Sequence, residues 1–276
     1  MRARFNYNQN TPLSMEQISL LAPAALSGIP SDKVSTKYSF LSTKNVIEYL
    51  DKKGIVPFAA EQTHSKNQDS SKHMIRFRSH GILNAKECKD LGTLIPEIVL
   101  TTSHDAKSAF RFNLGFFRFV CANGLIVSDS SVSTISIKHV NANESDVIDA
   151  VFEVLGSSDN MIDQAYAMNK VKMSEDLKTK FAEEAFKLKF EESEAKKFDP
   201  RLLLRPRRQQ DCESSLFATM NVVQENLIRG GIRYREINRE KMLVRRNTTK
   251  AIRSIDENLR INKKIWELSK IFLDNA

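Results

Sequence analysis

The chain has few of the residues that stabilise small secreted proteins or dominate disordered ones. Its 276 residues include three cysteines, nine glycines, seven prolines and one tryptophan. An odd number of widely spaced cysteines argues against a disulfide framework and suits a reducing compartment. So little glycine and proline excludes a collagen-like or low-complexity chain. We therefore expect a globular protein whose core forms without disulfides or a structural metal.

Long apolar runs are also missing. No stretch approaches the roughly 18 apolar residues that a membrane-spanning helix needs. Residues 1–10 become polar after two arginines and lack the apolar centre of a signal peptide. We therefore expect a cytoplasmic protein that makes no contact with a membrane.

Sequence motifs for nucleotide cofactors and for catalysis are absent. The chain has neither a G-x-x-x-x-G-K-[ST] loop nor a G-x-G-x-x-G turn, and neither H-E-x-x-H nor G-x-S-x-G. Three of its histidines could meet across a hairpin and bind a metal, but scattered loop and strand-end positions explain them better: His64, His73 and His80. We expect no cofactor, no metal and no catalytic residue. A metal-dependent nuclease remains an alternative, with a site drawn from Glu61, His80, Asp105 and His139.

The pattern of apolar residues divides the chain into two parts. In the first part, short alternating segments predict strands near residues 55–63, 74–79, 94–102, 109–127 and 132–140. Within residues 109–127, Asn123-Gly124 predicts a hairpin turn. The phenylalanines of this segment fit a core stripe, and stacking on unpaired bases is the alternative: Phe110, Phe112, Phe116, Phe117 and Phe119.

Helical spacing dominates the second part of the chain. It predicts helices near residues 143–155, 162–198, 213–229 and 251–273, in addition to an earlier helix at 42–54. The expected fold class is α+β, with an antiparallel or mixed sheet and flanking helices in the N-terminal half and a helical, Arg-rich C-terminal part. Residues 1–156 and 157–276 form two domains or one continuous domain.

The net charge lies entirely in the last quarter of the chain. Residues 201–276 hold 17 basic and 9 acidic residues, which equals the +8 of the whole chain, so residues 1–200 are neutral. Twelve of the 18 arginines lie in this last quarter. Because the planar arginine side chain suits bidentate contact with phosphate or carboxylate, this segment predicts an anionic partner.

Two basic clusters in this quarter are candidates for binding nucleic acid. The first follows an extended, proline-containing connection, and the second follows the helix that ends at Gly230-Gly231, where glycine permits an anion-binding turn. Solvated linkers and internal ion pairs to Glu225, Glu236 or Glu240 are the structural alternatives. The candidate residues are Arg205, Arg207, Arg208, Arg229, Gly230, Gly231, Arg233, Arg235, Arg245 and Arg246.

Several segments resemble a known family. They are Phe119-Val120-Cys121-Ala122-Asn123-Gly124-Leu125, Ile137-Lys138-His139, Gln224-Glu225-Asn226-Leu227-Ile228-Arg229-Gly230-Gly231, and the tail around residues 247–256 with Asn262 and Trp266. The chain resembles, from about Tyr38 onward, the phage/plasmid-related proteins of unknown function. The resemblance implies a mobile genetic element in a bacterial or phage cytoplasm, and it supplies no activity or catalytic residues.

These observations lead to one main hypothesis of function. We expect a nucleic-acid-binding accessory protein of a mobile element that acts in recombination, replication or maintenance, with DNA rather than RNA as its partner. A strand-annealing role would predict homo-oligomers. The alternative is an anti-defence or interaction factor whose Arg-rich face contacts an acidic host or phage protein.

Overall fold

The computed structural model describes residues 11–27, 42–63, 71–79, 94–104, 108–118, 123–126, 134–137, 143–195, 198–238 and 243–276. The chain divides into two compact units, Met1–Asn160 and Met161–Ala276. A mostly antiparallel sheet with helices in the first unit and further helices in the second confirm the predicted α+β class.

The described residues of the first unit form three short N-terminal helices, an antiparallel sheet and a longer helix. The helices are α1 (Met15–Leu21), α2 (Pro23–Leu26), α3 (Thr43–Lys52) and α4 (Glu144–Gly156). The strands are β1 (Ile55–Gln62), β2 (His73–Ser79), β3 (Leu94–Thr102), β4 (Phe110–Arg118), β5 (Asn123–Ile126) and β6 (Ile135–Ile137). They pair in the order β1-β2-β3-β4-β5, and β6 also pairs with β4.

One face of this sheet forms an apolar core. The register places Ile75, Leu100 and Phe112 side by side across β2, β3 and β4, and all three are fully buried. Helix α3 lies on this face, because its Thr43 Oγ1 is 2.9 Å from Nε2 of His73. The core interpretation of the phenylalanine stripe is confirmed for its described members on this face, Phe110, Phe112 and Phe116, and Phe117 is buried on the opposite face. Phe119 lies outside the described residues.

The opposite face of the sheet carries buried charge. Arg76 Nε donates to Oε2 of Glu97 at 2.5 Å, and Arg78 Nε donates to Oε1 of the same carboxylate at 2.8 Å. The guanidinium of Arg78 also lies 4.2 Å from the ring centre of Phe58 and 4.0 Å from that of Phe117. Three buried charges are tolerated in a protein only when each has an oppositely charged, hydrogen-bonded partner. The alternation of Ile75 and Phe77 with Arg76 and Arg78 along the sequence predicts two different faces of this strand, and the register confirms them.

The predicted turn at Asn123-Gly124 is wrong. Both residues belong to β5, where Asn123 pairs with Arg118 and Gly124 pairs with Phe117. The four residues between these strands, 119–122, lie outside the described part of the chain. An Asn-Gly pair marks a turn only where the backbone needs positive φ at both positions, and paired strand residues do not need it.

The second unit is built around one buried helix. It contains α5 (Ser158–Lys170), α6 (Glu175–Phe186), α7 (Glu192–Ala195), two 3₁₀ turns (Pro200–Leu204 and Gln209–Asp211), α8 (Leu216–Arg229) and α9 (Ile255–Asp274). Every residue of α8 from Leu216 to Ile228 is buried. Helices α6 and α9 and the first 3₁₀ turn pack against α8. Among the described residues no helix has the length and apolarity that crossing a bilayer demands.

A two-stranded antiparallel ribbon was not foreseen by the sequence pattern. Strands β7 (Arg233–Asn238) and β8 (Leu243–Thr248) form it, between α8 and α9 in the chain. It holds four of the arginines that the sequence had singled out, Arg233, Arg235, Arg245 and Arg246.

Candidate nucleic-acid interface

The end of α8 is held in place by buried polar side chains. Gln224 Nε2 donates to Oδ1 of Asn262 on α9 at 2.7 Å. Asn226 Nδ2 donates to the backbone carbonyls of Leu203 and Arg205 at 2.8 and 2.9 Å. Because a buried amide without partners is costly, these bonds fix which residues surround the helix. Two polar residues of the octapeptide Gln224–Gly231 therefore have a structural role.

The carboxylate of Glu225 connects two of the candidate arginines. Arg208 binds it with both terminal nitrogens, NH1 to Oε2 at 2.8 Å and NH2 to Oε1 at 2.7 Å. Arg229 adds a contact of 2.9 Å to Oε1. Glu225 is only 2% exposed, and its hydrogen bonds raise the pKa of Arg208 above the ordinary arginine value. These two arginines therefore neutralise a buried acid.

Gly230 marks a close approach between two backbone segments. Its φ is 60°, and a Cβ built there would lie 2.5 Å from the carbonyl carbon of Lys250 and 2.7 Å from Thr249 O. Gly231 also has positive φ, 81°, but a Cβ there would meet nothing within 4 Å. Arg207 donates to Asn226 Oδ1 at 2.8 Å and to the carbonyl oxygen of Gly230. The Gly-Gly pair thus lets the chain return beside residues 249–250.

A lysine that sequence reasoning missed supports the same junction. Lys189 Nζ donates to the carbonyl of Leu227, in the last turn of α8, at 2.5 Å and to the carbonyl of Lys250 at 2.6 Å. A cation at a helix C-terminus satisfies carbonyls that have no partner within the helix. Burial lowers the pKa of Lys189 to about 8. Nothing in the local sequence marks this residue, because both of its partners are distant in the chain.

Three of the five exposed residues on one face of the ribbon are arginines. The register pairs Arg235 with Arg246 and Arg233 with Thr248. Directly paired residues, and residues two apart along a strand, lie on the same side of a ribbon. We call the exposed set the arginine face: Arg233, Arg235, Val244, Arg246 and Thr248. In the described part of the ribbon this face holds no acidic residue, and none of its arginines forms an ion pair with a described residue.

The other face of the ribbon packs against another segment of the second unit, at Phe198. The ring of Tyr234 lies 5.1 Å from that of Phe198. Asn247 Nδ2 donates to Oε2 of Glu236 at 2.8 Å, and Arg245 lies opposite Glu236 in the register. This face carries Glu236 beside Asn247 and Arg245 and holds a half-buried aromatic ring, so the ribbon is attached on this side and exposes Arg233, Arg235 and Arg246 on the other.

The structure therefore separates the sequence candidates into two groups. Arg207, Arg208, Arg229, Gly230 and Gly231 lie at the junction around the end of α8, where they bind other parts of the chain or permit the close backbone approach. Of the others, Arg205 is exposed on the connection between the two 3₁₀ turns, and Arg245 is exposed on the packed face of the ribbon. The ribbon brings only three candidates together on one exposed face: Arg233, Arg235 and Arg246.

The residues of the nuclease alternative are described only in part. Of that set, Glu61 on β1 is described, and its burial raises its pKa to about 7 despite the nearby Arg76. His80, Asp105 and His139 lie outside the described residues, as do His64 and His80 of the hairpin metal site. No cluster of three or more potential metal ligands occurs among the described residues.

Comparisons with known proteins place the chain in a family. Residues 30–266 match the family described as Domain of unknown function (DUF932), so the chain belongs to this family. It is similar to the UPF0380 protein YafZ of Escherichia coli (strain K12), with 30% identity over 96% of this chain and 93% of that protein. The UPF0380 protein YfjQ of the same strain is 29% identical over the same shares. No solved structure gives a significant match.

Proposed function

We propose that this protein binds nucleic acid through the arginine face of its ribbon, as an accessory protein of a mobile genetic element. The observation that supports binding is the set of three exposed arginines on one face, with Arg235 directly opposite Arg246. The mobile-element context is supported by the resemblance to phage/plasmid-related proteins. DNA is the expected nucleic acid.

The arrangement of these arginines is unfavourable unless an anion is present. Directly paired residues of an antiparallel ribbon have Cα atoms only about 4.5–5.5 Å apart. Like charges placed opposite each other destabilise such a pair. A phosphate between Arg235 and Arg246 would convert the repulsion into two charge-assisted hydrogen bonds. The neighbouring Arg233, and Lys250 and Arg253 after β8, would extend the contact along a phosphate backbone.

A salt series tests the proposal. Each phosphate that a side chain neutralises on duplex DNA adds about −0.9 to the slope of log K against log salt. The triple variant Arg233→Gln, Arg235→Gln, Arg246→Gln should therefore bind DNA more weakly and flatten the slope by about 2.7. Fluorescence anisotropy with a labelled duplex, starting at about 50 mM salt, measures both quantities.

A charge-matched control separates this face from the general positive field. The triple variant Arg201→Gln, Arg245→Gln, Arg260→Gln removes three positive charges from other exposed positions. Arg201 is paired with Asp199, and Arg260 with Glu257. This control should keep most of the wild-type slope of log K against log salt. Equal losses in the two triple variants, or no binding of DNA or RNA by the wild type at low salt, would refute the proposal.

A further inference from the structure

The arginine face contains an exposed apolar residue that phosphate binding leaves unexplained. Val244 is 59% exposed on the outward side of the ribbon, where it pairs with Ile237 in the register and lies two residues before Arg246 on β8. Thr248, also exposed, adds a methyl group to the same face. Phosphate neutralisation needs neither, whereas the edges of base pairs offer a partner for both. In the major groove, arginine donates to guanine O6 and N7, and small apolar groups contact the thymine methyl.

We infer that the arginine face lies in the major groove of B-form duplex DNA. This inference rests on the proposed function and specifies its substrate. Two paired strands lie about 4.8 Å apart, and such a ribbon enters a major groove about 12 Å wide but not a minor groove about 6 Å wide. The arginines then reach both the base edges and the phosphates that border the groove.

The position of the single aromatic residue of the ribbon argues against single strands. Proteins that hold single-stranded nucleic acid stack its bases on aromatic side chains. In residues 233–248 the sequence has one aromatic residue, Tyr234. Its ring packs against Phe198 on the opposite face from the arginines. Double-stranded RNA is also disfavoured, because the major groove of the A-form is too narrow for side chains to read.

Three matched probes test which form of nucleic acid the arginine face binds. They are a DNA duplex, one of its strands alone, and the RNA duplex of the same sequence, each titrated with the full-length protein. We expect the DNA duplex to bind most tightly, by about tenfold or more, since one bidentate guanine contact accounts for such a factor. Equal or tighter binding of the single strand or of the RNA duplex would overturn the inference. Provided that binding still depended on the three arginines, the proposed function would remain.

A second pair of measurements tests whether the arginine face lies in the major groove. Replacing guanine in the duplex with 7-deazaguanine removes the N7 acceptor from the major groove and leaves every phosphate and the net charge of the DNA unchanged. It should weaken binding by the wild-type protein about tenfold. Arg235→Lys keeps the charge but loses the planar fork, so it should reduce the effect of the modified guanine on binding without changing the salt slope. Arg245→Lys is the control and should behave as the wild type. No effect of 7-deazaguanine on binding by the wild type would overturn the placement in the groove.

Discussion

The Gly230-Gly231 pair allows the close backbone approach at the end of α8 to be tested with a built-in control. Both glycines have positive φ, so alanine at either position introduces backbone strain. Gly231→Ala adds only this strain, about 1–2 kcal/mol, because its Cβ meets nothing within 4 Å. Gly230→Ala also drives a Cβ to within 2.5 Å of the Lys250 carbonyl carbon and 2.7 Å of Thr249 O. Backbone atoms must move to relieve such contacts.

The movement would break hydrogen bonds on both sides of the junction. Gly231 N donates to Thr249 O at 2.8 Å, Thr249 N to Ile232 O at 3.0 Å, and Lys189 Nζ to Lys250 O at 2.6 Å. Losing two or three bonds at about 1 kcal/mol each, added to strain of about 1–3 kcal/mol, gives a loss of about 3–6 kcal/mol for Gly230→Ala. That is a large fraction of the typical stability of a domain, about 5–15 kcal/mol.

The single tryptophan provides the assay. Trp266 is fully buried in α9, so its fluorescence reports the unfolding of the second unit. With a urea dependence of about 2 kcal/mol per molar, Gly230→Ala should lower the midpoint by about 1.5–3 M and Gly231→Ala by about 0.5–1 M. Equal shifts for the two variants would show that the contact with residues 249–250 contributes nothing.

Two further predictions concern the carboxylates of Glu225 and Glu61. Glu225→Gln removes the carboxylate that Arg208 and Arg229 share. Because Arg208 keeps its contact with Asp211 Oδ2 at 2.9 Å and both arginines are partly exposed, we expect a loss near the lower end of the range for buried pairs, about 3 kcal/mol. Trp266 fluorescence in urea measures this loss, and a value below about 1 kcal/mol would contradict the structural role. Glu61 has a folded pKa of about 7 against an ordinary 4.5, so between these values the folded chain holds a proton that the unfolded chain releases. Stability must then fall as pH rises from 4.5 to 7, by at most about 3 kcal/mol. Hydrogen exchange of the first unit should show this fall in the wild type and not in Glu61→Gln.

The sheet of the first unit was largely predictable from the sequence. In β2 the alternation of Ile75 and Phe77 with Arg76 and Arg78 indicates a strand with two different faces, and the register agrees. The sequence could not show that the arginine side is buried. That depends on Glu97, which approaches from another strand only once the sheet has formed. A charged strand face ordinarily predicts exposure to solvent.

The ribbon was missed because its local signals are weak. Residues 233–238 and 243–248 alternate in side-chain type, but most of the alternating residues are polar, so no apolar period of two stands out. The connecting residues, Arg-Glu-Lys-Met at 239–242, contain none of the glycine, asparagine or aspartate that mark a tight hairpin. The strand character becomes visible only when the two segments pair, with Tyr234 against Phe198.

The octapeptide that carries the family resemblance and the face proposed to bind DNA are different parts of one structure. Gln224, Glu225 and Asn226 are buried and bind residues that are distant in sequence, so each needs a specific partner to avoid an unsatisfied polar group. Selection on folding alone would preserve such residues. The arginines of the ribbon have no such partners among the described residues, and their mutual repulsion slightly opposes folding. A fold that keeps like charges opposite each other on an exposed face loses stability there unless an anion binds. For this reason the arginine face, rather than the octapeptide, is where a ligand is to be sought.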